Sequence, residues 1–170
     1  MKAIAGIIAL ALFSQAGGLG AGKANDVDVN DKTVLTSVDS AKAAALIAHY
    51  RWPFKGPWFG GSFTCWAIPG TYREHTFFFE GINKHDDEIE IRLQRHPTVT
   101  AAMEDWSKTI DTKKLGLTLF VQQNWGFEVN KTFELGSGKT VRDLKKEMEA
   151  FFKNAIPLVN HLTENKPDRA

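Results

Sequence analysis

Gly136-Ser137-Gly138-Lys139-Thr140 ends the way a phosphate-binding loop ends. That loop needs a further glycine five positions before Gly138, so that backbone N–H groups can wrap the phosphates. Phe133 stands there, and the run reads instead as a glycine-rich connection ahead of a helix cap. Cys65 and His75 are of the types that form a thiol–imidazole nucleophilic pair. If Pro69-Gly70 made a tight turn, Cys65 would lie opposite Glu74 and His75 opposite Thr64, so the two side chains would leave opposite faces of the hairpin. His85-Asp86-Asp87, with His96 a strand away, lacks zinc-ligand spacing and reads as a solvated turn. Asp26, Asp28 and Asn30 open like a calcium loop. Asp31 then replaces the sharp-turn glycine, and Ser37 the bidentate glutamate. No catalytic residue, metal ligand or cofactor site is complete in these runs.

The aromatic residues offer a different chemistry. Trp52 to Gly61 reads WPFKGPWFGG, four rings among Gly and Pro residues that forbid regular structure. One reading folds these rings back onto the core, because large rings are usually mostly buried. The other makes them a lip that grips a ligand or partner, since aromatics are enriched at interfaces. Trp52, Phe54, Trp58 and Phe59, counted together with Trp106 and Trp125, are the candidate binding residues. Cys65, the one cysteine, has no internal disulfide partner and reads as a buried strand thiol.

The elements that must position these residues follow from periodicity. From Thr140 to Thr163, Val141, Leu144, Met148, Phe151, Phe152, Ala155, Val159 and Leu162 form one helical stripe. Thr140 is its expected N-cap, and Pro157 predicts a kink or a second short piece. Residues 37–51 read as a first helix, capped by Ser37 or Asp39 and ended by Pro53. Val99, Ala102, Met103, Trp106 and Ile110 make another helical stripe. Strands are expected over 62–68, 72–82, 88–93, 115–121 and 127–135. In the third of these, Ile89, Ile91 and Leu93 alternate with Glu88, Glu90 and Arg92, the pattern of a strand with one wet face. The fold class predicted is α+β, a five-stranded antiparallel sheet packed with three helices in the order α-β-β-β-α-β-β-α.

Lys2, the apolar run Ala3–Phe13 and the small-residue stretch Ala16–Ala24 read as a signal peptide over 1–24. A leader over 25–36, a single domain over 37–164 and a tail over 165–170 complete the organisation. Removal of Lys2 and Lys23 leaves 19 of the 21 basic side chains against 20 acidic ones. That balance disfavours nucleic acid as a partner, and no later segment is long and apolar enough to span a bilayer. The expected location is periplasmic or secreted.

The element order resembles the type III secretion chaperone-like fold, and within it the YbjN-like family. Glu104-Asp105-Trp106-Ser107 is similar to that family's Asn-x-Trp-Asn run, with the Trp kept, and the glycine-rich turn into the last helix is similar too. The resemblance implies a non-enzymatic, protein-binding and often dimeric module, with no catalytic residues to carry over. The signal peptide departs from the cytoplasmic habit of secretion chaperones, so that particular role does not follow. The sequence therefore points to a binding module for a protein or peptide partner. The alternatives are a small secreted enzyme using His75, Glu74 or Cys65, and a carrier of an apolar ligand held between the sheet and the last helix.

Overall fold

The structure is a computed structural model and describes residues 28–57, 64–82, 86–123 and 125–164. Five strands form one antiparallel sheet. They are β2 (Thr64–Tyr72), β3 (His75–Ile82), β4 (Glu88–Arg95), β5 (Thr118–Gln122) and β6 (Gly126–Glu134), arranged β2-β3-β4-β6-β5. The helices are α1 (Ser40–His49), α2 (Ala101–Lys108), the single turn α3 (Thr112–Leu115) and α4 (Val141–Glu164). The predicted α+β architecture and its order are present. Two elements differ: a fourth helix, α3, occupies the start of the segment expected as a strand from Leu115. A small second sheet also pairs β1 (Val34–Leu35) with β7 (Lys139–Thr140).

One face of the large sheet carries the core. Phe77 and Phe79 of β3, Ile89, Ile91 and Leu93 of β4, and Phe127, Val129 and Phe133 of β6 are buried against the stripe of α4. Val141, Leu144, Met148, Phe151, Phe152, Ala155, Val159 and Leu162 of that stripe are all buried. Of the two outcomes expected at Pro157, a kink or a second short piece, the second does not occur: α4 continues through it as one helix. Proline cannot donate the backbone bond to Lys153 four residues back, but the buried residues on both sides hold the helix together.

The leader does structural work on α4. The first N–H groups of a helix have no partner within it. Here Val141 N donates to the Thr33 carbonyl at 2.9 Å and Arg142 N to the Asp31 carbonyl at 3.2 Å. Asp143 N donates to Thr140 Oγ1 at 3.1 Å, which makes Thr140 the cap that the sequence predicts. Tyr50 at the end of α1 donates its hydroxyl to the Val141 carbonyl at 2.9 Å. The start of α1 is capped by Asp39, which accepts from Lys42 N at 2.7 Å.

The first hairpin corrects an expectation. Pro69 and Gly70 lie inside β2, opposite Phe78 and Phe77, and the turn is formed further on by Arg73 and Glu74. Gly70 is required where it is because an added Cβ would run into the Phe77 ring. Proline is tolerated there because β2 is an edge strand. Residues 53–55 run along that edge: Lys55 N donates to the Pro69 carbonyl at 2.9 Å and Thr71 N to the Pro53 carbonyl at 2.8 Å.

Candidate functional site

The sheet separates the aromatic residues that the sequence groups together. Trp52 is 8% exposed and packs edge-on against Tyr72, Phe77 and Phe152, with ring centroids 5.3, 5.8 and 5.5 Å away. It is a core residue, which removes it from the binding set. Phe54 remains exposed outside β2, bridging to Gly70. Trp58 and Phe59 lie outside the described residues. Trp106 is half-buried on α2 and stacks on His161 of α4 at 4.1 Å. That stack links α2 to α4. Trp125 lies at the far edge, in the turn from β5 to β6, and is 38% exposed.

Trp125 belongs to a built corner. Phe120 on β5 is 47% exposed and meets Trp125 edge to face at 5.5 Å. His96, just after β4, meets the other side of Trp125 at 5.7 Å. A His96 Nδ1–H donates to the Trp125 carbonyl at 2.7 Å. Because a carbonyl only accepts, that contact requires a proton on Nδ1. Glu104 of α2 accepts from Gln123 N at 2.8 Å and ties the turn to the helix. Gly126 has φ +114°, and an added Cβ would strike the Arg95 carbonyl oxygen, so the chain can pass here only as glycine. A surface concavity of about 390 Å³ opens beside the corner, lined by His96, Pro97, Thr98, Val99, Gln123 and Trp125. The strand carrying Phe120 ends the sheet: among the described residues, β5 pairs with β6 alone.

Next to this corner, the sheet face opposite the core is not the plain wet face predicted from Glu88, Glu90 and Arg92. Register places Glu80 opposite Glu90, Phe78 opposite Arg92, Arg92 opposite Asn130, and Glu128 opposite Phe120. Arg92 donates from Nη2 to Glu80 Oε1 and, at 3.3 Å, from Nη1 to Glu128 Oε2, while its guanidinium lies over the Phe78 ring. Asn130 Nδ2 donates to Glu128 Oε1 at 2.6 Å. The Glu80 side chain is only 5% exposed. Three carboxylates thus surround one guanidinium. Burial, followed by the neighbouring Glu128 and Glu80 charges, pushes the Glu90 carboxyl up to about 7. Glu80 is raised mainly by burial, against the opposing pull of Arg92.

The residues considered for nucleophilic chemistry do not meet. His75 pairs with Tyr72 at the turn end of the first hairpin. Cys65 lies at the other end, where the register shifts between Thr64 and Trp66 opposite Gly81 and Ile82. At ~3.3 Å per strand residue the two are roughly 20 Å apart. Glu74 is exposed in the turn. Among the described residues no group of three or more His, Cys, Asp or Glu side chains is arranged to hold a metal ion. His85 lies outside the described residues.

Sequence reasoning missed Phe120, Glu80 and Glu128. For Phe120 a signal existed: it falls in the polar phase of the alternation set by Leu117, Leu119 and Val121. For the glutamates no local signal existed, since their meeting depends on register between strands distant in sequence.

No protein-family model matches this chain, and none of the curated proteins compared with it does. Among solved structures it is similar to an uncharacterized protein from Methanothermobacter thermautotrophicus, with a TM-score of 0.51 and 10% sequence identity. The match covers 72% of this chain and 94% of that one. A likeness at that identity concerns the fold alone, and it accords with the α+β architecture described above.

Proposed function

We propose that this protein is a non-enzymatic binding module, secreted or periplasmic, that recognises an extended segment of a protein or peptide partner at the β5 edge. The observation that carries this reading is the exposed Phe120–Trp125 pair on a terminal strand, fixed from behind by His96 and Glu104. An edge strand offers backbone donors and acceptors to an added strand, and adjacent rings supply side-chain specificity. The carboxylate-rich face beside Phe120 favours a partner segment with a basic side chain next to an apolar one. The element order supports placing the module with the type III secretion chaperone-like, YbjN-like proteins. A homodimer through α2 accords with that placement, and the signal-like N-terminal segment supports export.

Peptide phage display on the immobilised full chain tests the reading. The selected peptide is then synthesised and titrated by fluorescence anisotropy. Phe120→Ala combined with Trp125→Ala is expected to weaken binding at least tenfold with an unchanged circular dichroism spectrum. Undiminished binding by that variant would move the site elsewhere. Cell fractionation that left the chain in the cytoplasm would remove the exported half of the reading.

A further inference from the structure

A second concavity lies on the other side of the molecule from the β5 edge, where the first hairpin turn approaches α4. Its volume is about 630 Å³, and it is lined by Tyr72, Arg73, His75, Glu149, Ala150, Phe152, Lys153, Ile156 and Pro157. That volume lies within the range of small-molecule sites. Its base is braced by packing: the Tyr72 ring stacks on Phe152 at 4.2 Å with an interplanar angle of 7°, and Trp52 meets both rings edge-on. Ile156 and Pro157 of α4 add apolar lining. The rim is cationic. Arg73 and Lys153 carry positive charge there, against the single carboxylate of Glu149.

The turn that presents Arg73 is held in an unfavourable conformation. Arg73 and Glu74 have φ of 44° and 72°, the left-handed pair of a tight hairpin turn in which Asn-Gly is the usual choice. Two residues with full side chains bear that strain, and the first lies over the Tyr72 ring at 5.6 Å, at the mouth of the groove. Strain of this kind persists where the surrounding structure enforces it and clusters at ligand clamps.

We infer that this groove binds a small amphipathic carboxylate. Its apolar ring or chain lies along Ile156 and Pro157 beside Tyr72, and its carboxylate is held by Arg73 and Lys153. The charge balance of the rim selects the anion: a cationic amphiphile of the same body would meet two fixed positive charges. The apolar walls exclude small inorganic anions, which gain nothing from them. This inference uses no residue of the β5 corner and does not depend on the reading proposed for it.

Isothermal titration of the full chain with 2-naphthoate and with dodecanoate, each below its aggregation limit, provides the test. At least one of the two is expected to bind with 1:1 stoichiometry. Arg73→Gln combined with Lys153→Gln should weaken that binding at least tenfold. Dodecyltrimethylammonium should bind at least tenfold more weakly than dodecanoate. Ile156→Trp, which fills the groove without touching the rim charges, should abolish binding while thermal unfolding remains cooperative. Absence of binding by both carboxylates would overturn the inference. So would binding indifferent to both the charge-removing and the groove-filling variants, or equal affinity for the cationic amphiphile.

Discussion

Glu90 shows how a single side chain can be governed by residues far from it in sequence. In isolation it is one of the polar positions of an alternating strand. In the sheet it lies opposite Glu80 and close to Glu128, and the guanidinium of Arg92 is already engaged by those two. Like charges directly across a strand pair are unfavourable, and burial strengthens the repulsion. A carboxyl whose folded-state pKa is raised holds its proton more tightly in the folded chain than in the unfolded one. Stability is therefore highest below the unfolded value and falls as pH rises toward the folded one, here between about 4.5 and 7. Glu80 is shifted in the same direction and contributes with the same sign. Glu90→Gln is expected to flatten this pH dependence and to make the variant more stable than the parent at pH 8. Urea titrations at pH 5, 6.5 and 8 measure it, and a parallel offset at all three values would contradict the assignment. Gly126 is the second residue with a sharp expectation. Gly126→Ala combines a left-handed backbone with a collision against the Arg95 carbonyl. It should cost more than the roughly 1 kcal/mol of an ordinary glycine replacement and should loosen the Trp125 corner. A lowered melting temperature together with increased acrylamide quenching of tryptophan fluorescence would register both effects.

The terminal helix depends on its first turn as well as on its stripe. Two of its free N–H groups are taken by the carbonyls of Thr33 and Asp31, and a third by Thr140. Asp31 and Thr33 of the leader thereby complete the first turn of α4. Thr140→Ala removes the side-chain cap and should destabilise by about 1 kcal/mol. Chemical denaturation gives that number, and hydrogen exchange should show faster exchange at Asp143 before the middle of the helix is affected. The two sheet edges differ in how they are protected. Residues 53–55 lie along β2, and Pro69 removes one donor from it, whereas β5 carries the exposed Phe120 and the turn after it the exposed Trp125. The pairing along β2, against the exposed rings beside β5, is why the partner-binding reading is attached to β5.

Across the whole molecule, the core is a single aromatic-rich cluster that joins α1, α4 and the sheet. Phe152 contacts Trp52, Tyr72, Phe77 and Phe151. Phe152→Ala should cost roughly 3–5 kcal/mol, as deletion of a fully buried ring does, and should lower the cooperativity of thermal unfolding as seen by calorimetry. Periodicity was sufficient to reveal the large elements. The α4 stripe, the alternation of Ile89, Ile91 and Leu93, and the Thr140 cap are properties of neighbouring residues, and burying one face demands them. The short turn α3 and the two-residue strands β1 and β7 were not legible, because elements that short have no period. The hairpin turn was misplaced because Pro69-Gly70 has turn chemistry, yet packing of Phe77 over Gly70 decided in favour of a strand. By itself, then, the sequence determined the fold class, the order of its main elements and which side of the long helix is buried, since these follow from local periodicity and the drive to remove apolar surface from water. Only the tertiary structure decided which aromatic rings are core and which face solvent, that Cys65 and His75 are far apart, and that Glu80 and Glu128 share one arginine with Glu90 nearby. Those outcomes depend on register between strands distant in the chain, and a shift of one residue would send every one of those side chains to the opposite face.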